Sequence, residues 1–297
     1  MKFSISVLLV ALFAYLQPSY VVWAKPYIIP LLILIMLSMA LTLTFRDFKR
    51  VIVEPKPILL GIVLQFVLMP LTAFIIGNAF GFDNNTILGL VLVGSVAGGT
   101  ASNVMCFLAG GRVELSITMT AVSTLLSILI TPLLLELYMG SVVEIPTQSM
   151  IISLGKIILV PVIIGLVVRA IIGNKESSVA FINKSSTLIS QIAIIMIIAI
   201  VVGLNEPKFA TVEVTLYLAV ISHNIIGLGL GYVTALIIFK DKYIARTVAI
   251  EVGMQNSGLA VGLALKYFNA FVAIPSVLFS VVHNISGSIF AGYMKNK

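Results

Sequence analysis

Apolar residues run along this chain in blocks of about 20, the length that carries a helix across a bilayer. Between the blocks, Gly, Pro, Asn and charged residues gather. Ten blocks can be drawn, near 4–22, 27–45, 57–80, 86–107, 114–138, 148–171, 181–203, 212–239, 244–265 and 271–293. They are too long for barrel strands and show no two-residue alternation, so the pattern predicts an all-α polytopic membrane protein. The first block has a basic start and small residues near Ala24, as a cleaved signal peptide would. Removing it would leave an odd number of spans, so it is read as an uncleaved first helix.

The polar positions inside the blocks are few and unevenly placed. The fourth block holds 98-GGTASNVM-105 and the ninth holds 253-GMQNSGLA-260. Setting Gly99 on Gly253 gives an offset of 154, close to half of the 297 residues. Two five-helix halves, 1–140 and 141–297, then form a repeat. Five is odd, so the second half enters the membrane with opposite polarity, and such inverted repeats are typical of alternating-access transporters.

Composition agrees with the pattern. The chain is 60% hydrophobic with a mean hydropathy of +1.18, and its 10% charged residues compare with roughly 25% in soluble domains. The net charge of +7 reflects orientation rather than nucleic acid binding. With the N-terminus inside, the inner segments hold 14 of the 18 basic residues, among them Lys2, Arg46, Arg112, Lys175, Lys240 and Lys297. The outer segments hold Lys25, Lys208 and Lys266, and Lys156 lies within a span. This positive-inside bias puts both termini in the cytoplasm. The single cysteine, Cys106, excludes an internal disulfide and a Cys-based metal cluster, and it reads as a packing residue.

Candidate chemistry sits in the interrupted blocks. Gly98, Gly99, Ser102 and Asn103 are expected to break the fourth span, and Gly253, Gln255, Asn256 and Gly258 the ninth. Unwound backbone survives at membrane depth only where protein buries it or water reaches it. Freed amides there attract anions, and freed carbonyls attract cations. Glu251 is the sharpest feature, because a lone carboxylate mid-span costs about 2.5–3.5 kcal/mol and calls for a partner. That partner is a bound cation or, alternatively, the carboxyl's own proton. Ser116, Thr120, Ser123 and Ser127 place hydroxyls on one face of the fifth span, and Gln65 adds an amide in the third. Carboxylate, hydroxyl, amide and carbonyl oxygens make a hard-cation set, and so few carboxylates favour a monovalent ion over calcium. The run 227-GLGLG-231 reads as close helix packing, His223 as a bonded neutral imidazole, and Lys156 as snorkelling or paired.

At this point a family resemblance enters. The segments 98-GGTASNVM-105, 250-IEVGMQNSGLA-260 and 280-SVVHNISGS-288 resemble the bile acid:sodium symporter family, in particular bacterial members related to the ileal (apical) sodium-dependent bile acid transporter. The likeness takes in 65-QFVLMP-70 and 122-VSTLLS-127 and runs over essentially the whole chain. It implies ten transmembrane helices in two inverted repeats. Spans 1, 2, 6 and 7 would form a panel domain and the other six a core domain in which spans 4 and 9 unwind and cross. It further implies one sodium ion at Ser102, Asn103, Ser116, Thr120 and Glu251. A second would lie at Gln65, Glu251, Gln255 and the carbonyls of Val252 and Met254. An organic anion would lie near Thr100, Asn256 and Asn284.

The expected function is sodium-coupled symport of an organic anion by alternating access, in a bacterial inner membrane, with no cofactor besides the coupling ions. The substrate is left open between a bile acid and a smaller carboxylate such as a coenzyme precursor or keto acid. Proton-coupled transport with Glu251 as carrier is the runner-up. An intramembrane enzyme is remote, because the sequence has no G-x-S-x-G or H-E-x-x-H motif.

Overall fold

The computed structural model describes residues 2–173, 176–209 and 213–295; Lys175 and Lys297, counted above among the inner charges, lie outside them. In chain order, the helices that position the site are α1 (Lys2–Leu16), α2 (Ile28–Ala40), α3 (Phe45–Val53), α4 (Pro55–Ala79), α5 (Asn84–Ser95), α6 (Ala101–Leu108) and α7 (Val113–Met139). They continue as α8 (Thr147–Ile172), α9 (Glu176–Leu204), α10 (Val214–Phe239), α11 (Lys242–Gly253), α12 (Ser257–Tyr267) and α13 (Ile274–Lys295). Among the described residues there is no β-strand, only an isolated antiparallel bridge between Gly98 and Gln255.

Six of these helices are long and apolar enough to cross a membrane: α4, α7, α8, α9, α10 and α13 with the turn before it. The α2–α3 pair makes a seventh candidate, bent by 67°. The fourth and ninth apolar blocks are each split, into α5 and α6 and into α11 and α12. Each split block opens on the same device. Asp83 accepts from the amides of Asn85 and Thr86 at 2.9 and 3.2 Å and starts α5. Asp241 accepts from those of Tyr243 and Ile244 at 2.7 and 3.1 Å and starts α11. A side-chain oxygen at the N-cap satisfies amides that have no partner in the helix.

α2 lies against α8 and α9, and α1 lies against α9. α8 packs on α7 as well, α10 packs on α11, α4 on α5, and α13 on α5, α10 and α12. Glycines permit the close approach of α10 and α11. A Cβ on Gly227 would sit 3.2 Å from the Gly253 Cα, and one on Gly231 would sit 2.9 Å from the Ala249 Cα. The packing reading of 227-GLGLG-231 therefore holds at its two ends, while Gly229 faces open space. Cys106 is fully buried against Thr247, as a packing cysteine should be, and Lys156 is exposed.

Two helices carry a local widening to a π-turn, at Leu64–Leu68 in α4 and Gly155–Leu159 in α8. Each is followed closely by a proline, Pro70 or Pro161. Proline has no amide hydrogen and crowds the carbonyl four residues back, which opens the ladder there. The first widening contains Gln65.

Candidate functional site

The two helix breaks meet each other. The α5–α6 break covers 96–100 and the α11–α12 break covers 254–256. They cross antiparallel: the Gly99 amide donates to the Met254 carbonyl at 2.7 Å, and the Asn256 amide donates to the Ala97 carbonyl at 2.9 Å. Buried main-chain groups that left their helices thus find partners in the other break. Glycine is needed where they touch. A Cβ on Gly99 would lie 2.7 Å from the Gln255 carbonyl oxygen, and one on Gly98 would lie 3.0 Å from Glu251 Oε2. The breaks are shorter than the sequence suggested. Ser102, Asn103 and Gly258 belong to the first turns of α6 and α12, where exposed amide ends tolerate polar and small residues, and Gly253 closes α11.

Glu251, 3% exposed, stands in the last turn of α11, on the near side of the break. Its Oε1 accepts from the Ser102 hydroxyl at 2.5 Å and from the Ser116 hydroxyl. Its Oε2 accepts from the Thr120 hydroxyl at 2.8 Å. Ser116 also contacts Asn103 Oδ1 at 2.8 Å, and Thr120 contacts the Ser116 carbonyl at 3.0 Å. All five residues named for a first ion therefore share one cluster, drawn from α6, α7 and α11. Its proton count is short. Ser116 and Thr120 each carry one hydroxyl hydrogen, and each faces two acceptor oxygens. A cation among these oxygens, or a proton on Glu251 itself, would resolve that shortage. The hydroxyl stripe of α7 divides along its length. Ser123 Oγ accepts from the Gly98 amide at 3.3 Å, while Ser127 donates to the Thr124 carbonyl of its own helix at 2.7 Å.

A second cluster is built from amides and carbonyls. Gln65 Nε2 donates to Gln255 Oε1 at 2.5 Å and to the Val96 carbonyl at 2.6 Å. Gln255 Nε2 donates to the Val252 carbonyl at 2.8 Å, while the Met254 carbonyl is taken up in the crossing. Gln65 and Gln255 are both buried. The π-turn in α4 aims Gln65 at this point.

Beside the crossing lies a cavity of about 360 Å³ bounded by α2, α6, α7, α9, α12 and α13. The N-terminal ends of α6 and α12 open into it at Thr100, Ala101, Ser257 and Gly258. Helix N-termini carry partial positive charge and free amides, so they suit an anion. Thr100, Asn256 and Asn284, the residues named for the substrate, all line it. Asn256 uses its Oδ1 to cap α12, accepting from the Leu259 amide at 3.1 Å. Its Nδ2 has no partner among the described residues, and neither does Ser280 Oγ or His283 Nδ1. All three of these buried residues line the same cavity. None of the 25 lining residues is Asp, Glu, Lys or Arg.

The two histidines differ. His223 bonds the Met69 carbonyl at 2.9 Å, as a packed imidazole does, whereas His283 belongs to the cavity wall. Sequence reasoning missed Ser280 and a polar face on α9, where Asn183, Ser186, Thr187, Ser190 and Gln191 line the cavity. Helical spacing was the available signal for that face.

Known proteins resemble this chain over most of its length. Residues 29–212 match the model of the Sodium Bile acid symporter family. The chain is 39% identical to the uncharacterized sodium-dependent transporter YocS of Bacillus subtilis (strain 168), over 99% of this chain and 91% of that one. It is 33% identical to the probable sodium/metabolite cotransporter BASS1, chloroplastic, of Arabidopsis thaliana, over 98% of this chain and 72% of that one. It is 34% identical to the ileal sodium/bile acid cotransporter of Cricetulus griseus, over 77% of this chain and 66% of that one. These names are those of sodium-coupled transporters and not of enzymes. The chain is an integral membrane protein, and it belongs to the sodium bile acid symporter family.

Proposed function

We propose that the protein imports an organic anion together with two sodium ions by alternating access. Ten segments cross the membrane in two inverted repeats, 1–140 and 141–297, with both termini in the cytoplasm of a bacterium. The group containing α1, α2, α8 and α9 acts as a panel, and the helices around the crossing act as a core. The first sodium is held by Ser102, Asn103, Ser116, Thr120 and Glu251. The second is held by Gln65, Glu251, Gln255 and the carbonyls of Val252 and Met254. The anion binds at Thr100, Asn256 and Asn284, against the N-termini of α6 and α12.

The observation that carries this reading is the Glu251 cluster, in which a buried carboxylate and an amide oxygen compete for too few hydroxyl protons. Shape supports the transport step. Around the cavity, Phe107 and Asn183 are exposed, on the side to which the sequence assigns most basic residues. On the opposite side α12 closes on α2, where a Cβ on Gly262 would lie 2.6 Å from Leu32. There, too, Lys266 donates to the Ser153 hydroxyl at 2.6 Å and Tyr267 to the Ser149 carbonyl at 2.9 Å, tying α12 to α8. An inward-facing state has this arrangement, and parting α12 from α2 and α8 would open the other side.

The energetics are sufficient. Two sodium ions with a monovalent anion move one net charge inward. Tenfold sodium acting twice supplies about 2.8 kcal/mol and 100 mV about 2.3, enough for several-thousand-fold accumulation. The test is a thermal-stability titration of purified protein with sodium, potassium or choline chloride at constant ionic strength. A ligand of the folded state raises stability with its concentration. A rise specific to sodium is expected, and equal effects of sodium and potassium would contradict the reading.

A further inference from the structure

We infer that α3 is an interfacial helix whose exposed face binds anionic phospholipid headgroups. Lipid binding there goes beyond the transport reading and needs only the bilayer itself. α3 is nine residues long, FRDFKRVIV, and bends 67° away from α2. Its start is set by a capping box, in which Asp47 Oδ2 accepts from the Thr44 amide at 2.7 Å and the Thr44 hydroxyl at 2.8 Å. Glu54 alone separates its end from Pro55, the first residue of α4. A segment of about 13 Å that turns this sharply between two membrane helices runs along the bilayer surface.

At about 100° per residue, Val51, Phe48, Ile52 and Phe45 form one continuous apolar arc around α3. Half of that arc has a protein partner, because Phe48 and Val51 pack against the hydrophobic core. The other half does not: Phe45 is 66% exposed and Ile52 82%. Large apolar side chains bared beside a membrane span are covered by the acyl boundary of the bilayer. Lys49 and Arg46 continue the arc at its outer edge, and both are exposed, as is Lys56 just beyond the helix. The acids nearby are occupied elsewhere. Asp47 serves the cap, Glu54 pairs with Arg112 at 2.7 Å and Arg50 at 3.4 Å, and Glu114 lies 3.8 Å from Arg50. Arg46, Lys49 and Lys56 are in no ion pair among the described residues. Three such bases beside two bared hydrocarbon side chains match a phospholipid of net negative charge. Their stems can follow the acyl boundary while their charged ends reach phosphate oxygens. A zwitterionic headgroup carries its own cation beside the phosphate and complements them less. On the side away from lipid, Thr118 donates to the Asp47 carbonyl at 3.1 Å, which seats α3 on α7, the helix of Ser116 and Thr120.

The experiment uses the full chain, purified in a neutral detergent. It is titrated with short-chain phosphatidylglycerol, short-chain phosphatidylcholine or inorganic phosphate at constant ionic strength, and the melting temperature is followed. The same titrations are made on R46Q/K49Q/K56Q and on K184Q/K240Q/K295Q, which removes three exposed bases from other helix ends. Each base near an anionic surface strengthens attraction about fivefold, so phosphatidylglycerol should act at a concentration lower than phosphatidylcholine by about tenfold or more. The α3 variant should lose that preference, and the control variant should keep it. Should the triple variant melt early in detergent alone, K49Q by itself gives the same comparison with an expected loss of about fivefold. Equal action of the two lipids on the natural protein, a preference kept in R46Q/K49Q/K56Q, or an equal loss in both triple variants would each overturn the inference. Phosphate acting as strongly as phosphatidylglycerol would also overturn it, since the site would then be one for a free anion.

Discussion

The two clusters that meet at the end of α11 are built from different chemistry. Around Glu251 there is a full carboxylate, three hydroxyls and one amide oxygen, drawn from α6, α7 and α11. Around Gln65 and Gln255 there is no charge, and each amide hydrogen bond already has a partner. The first cluster is short of a cation or a proton as it stands; the second is nearly complete. The two proposed ions share Glu251 but should differ in their other ligands, hydroxyls for the first and amide and carbonyl oxygens for the second.

The largest effect should come from removing the charge. Glu251→Gln keeps the shape but leaves no carboxylate, and losing a buried ionic partner of this kind is worth about 3–5 kcal/mol. The sodium-specific thermal shift should vanish, while the variant in choline should melt no lower than the natural protein. A retained sodium shift would remove Glu251 from both sites. Next is Gly99→Ala. Its Cβ would meet the Gln255 carbonyl at 2.7 Å, and forcing the crossing apart should cost about 1–3 kcal/mol. Both the melting temperature and sodium affinity should fall together, where a local defect in one site would lower affinity alone.

Smaller changes divide the clusters. Thr120→Val removes one of the three hydroxyl donors to Glu251, and a hydrogen bond to a charged group is worth about 1.5–3 kcal/mol, so sodium affinity should weaken at least tenfold. Gln65→Leu leaves the Gln255 oxygen and the Val96 carbonyl short of a donor. It should weaken only the second ion, and the sodium titration should lose its cooperativity while a sodium shift remains. Ser127→Ala should do almost nothing, within about 0.5 kcal/mol, because that hydroxyl serves its own helix. A marked loss of sodium affinity in Ser127→Ala would mean that the whole α7 stripe faces the ion.

Much of this site is legible from residue types. An acidic residue in an apolar block, together with Gly, Asn and Gln in two blocks half a chain apart, points to Glu251 and both breaks. The hydroxyl period on α7 points to Ser116 and Thr120. That period cannot say where the stripe stops facing the ion, since Ser127 has the same spacing but bonds to Thr124. The ends of the breaks were misplaced for a related reason: Ser102 and Asn103 sit comfortably in a first helical turn, so a polar residue does not by itself mark unwound backbone. The bonds between Gly99 and Met254 and between Asn256 and Ala97 join residues more than 150 apart, and no local pattern encodes them. The α9 face was legible and overlooked. Its serines, threonine and amides keep a strict helical spacing, but they carry neither the acid nor the glycine that drew attention elsewhere.

The most direct test of the central claim is to count the ions. Equilibrium binding of radioactive sodium to purified protein, with potassium as competitor, should saturate at two ions per chain. In Glu251→Gln both should be lost, because the two proposed sites share that carboxylate. Saturation at zero ions, or two-ion binding that survives in Glu251→Gln, would contradict the account.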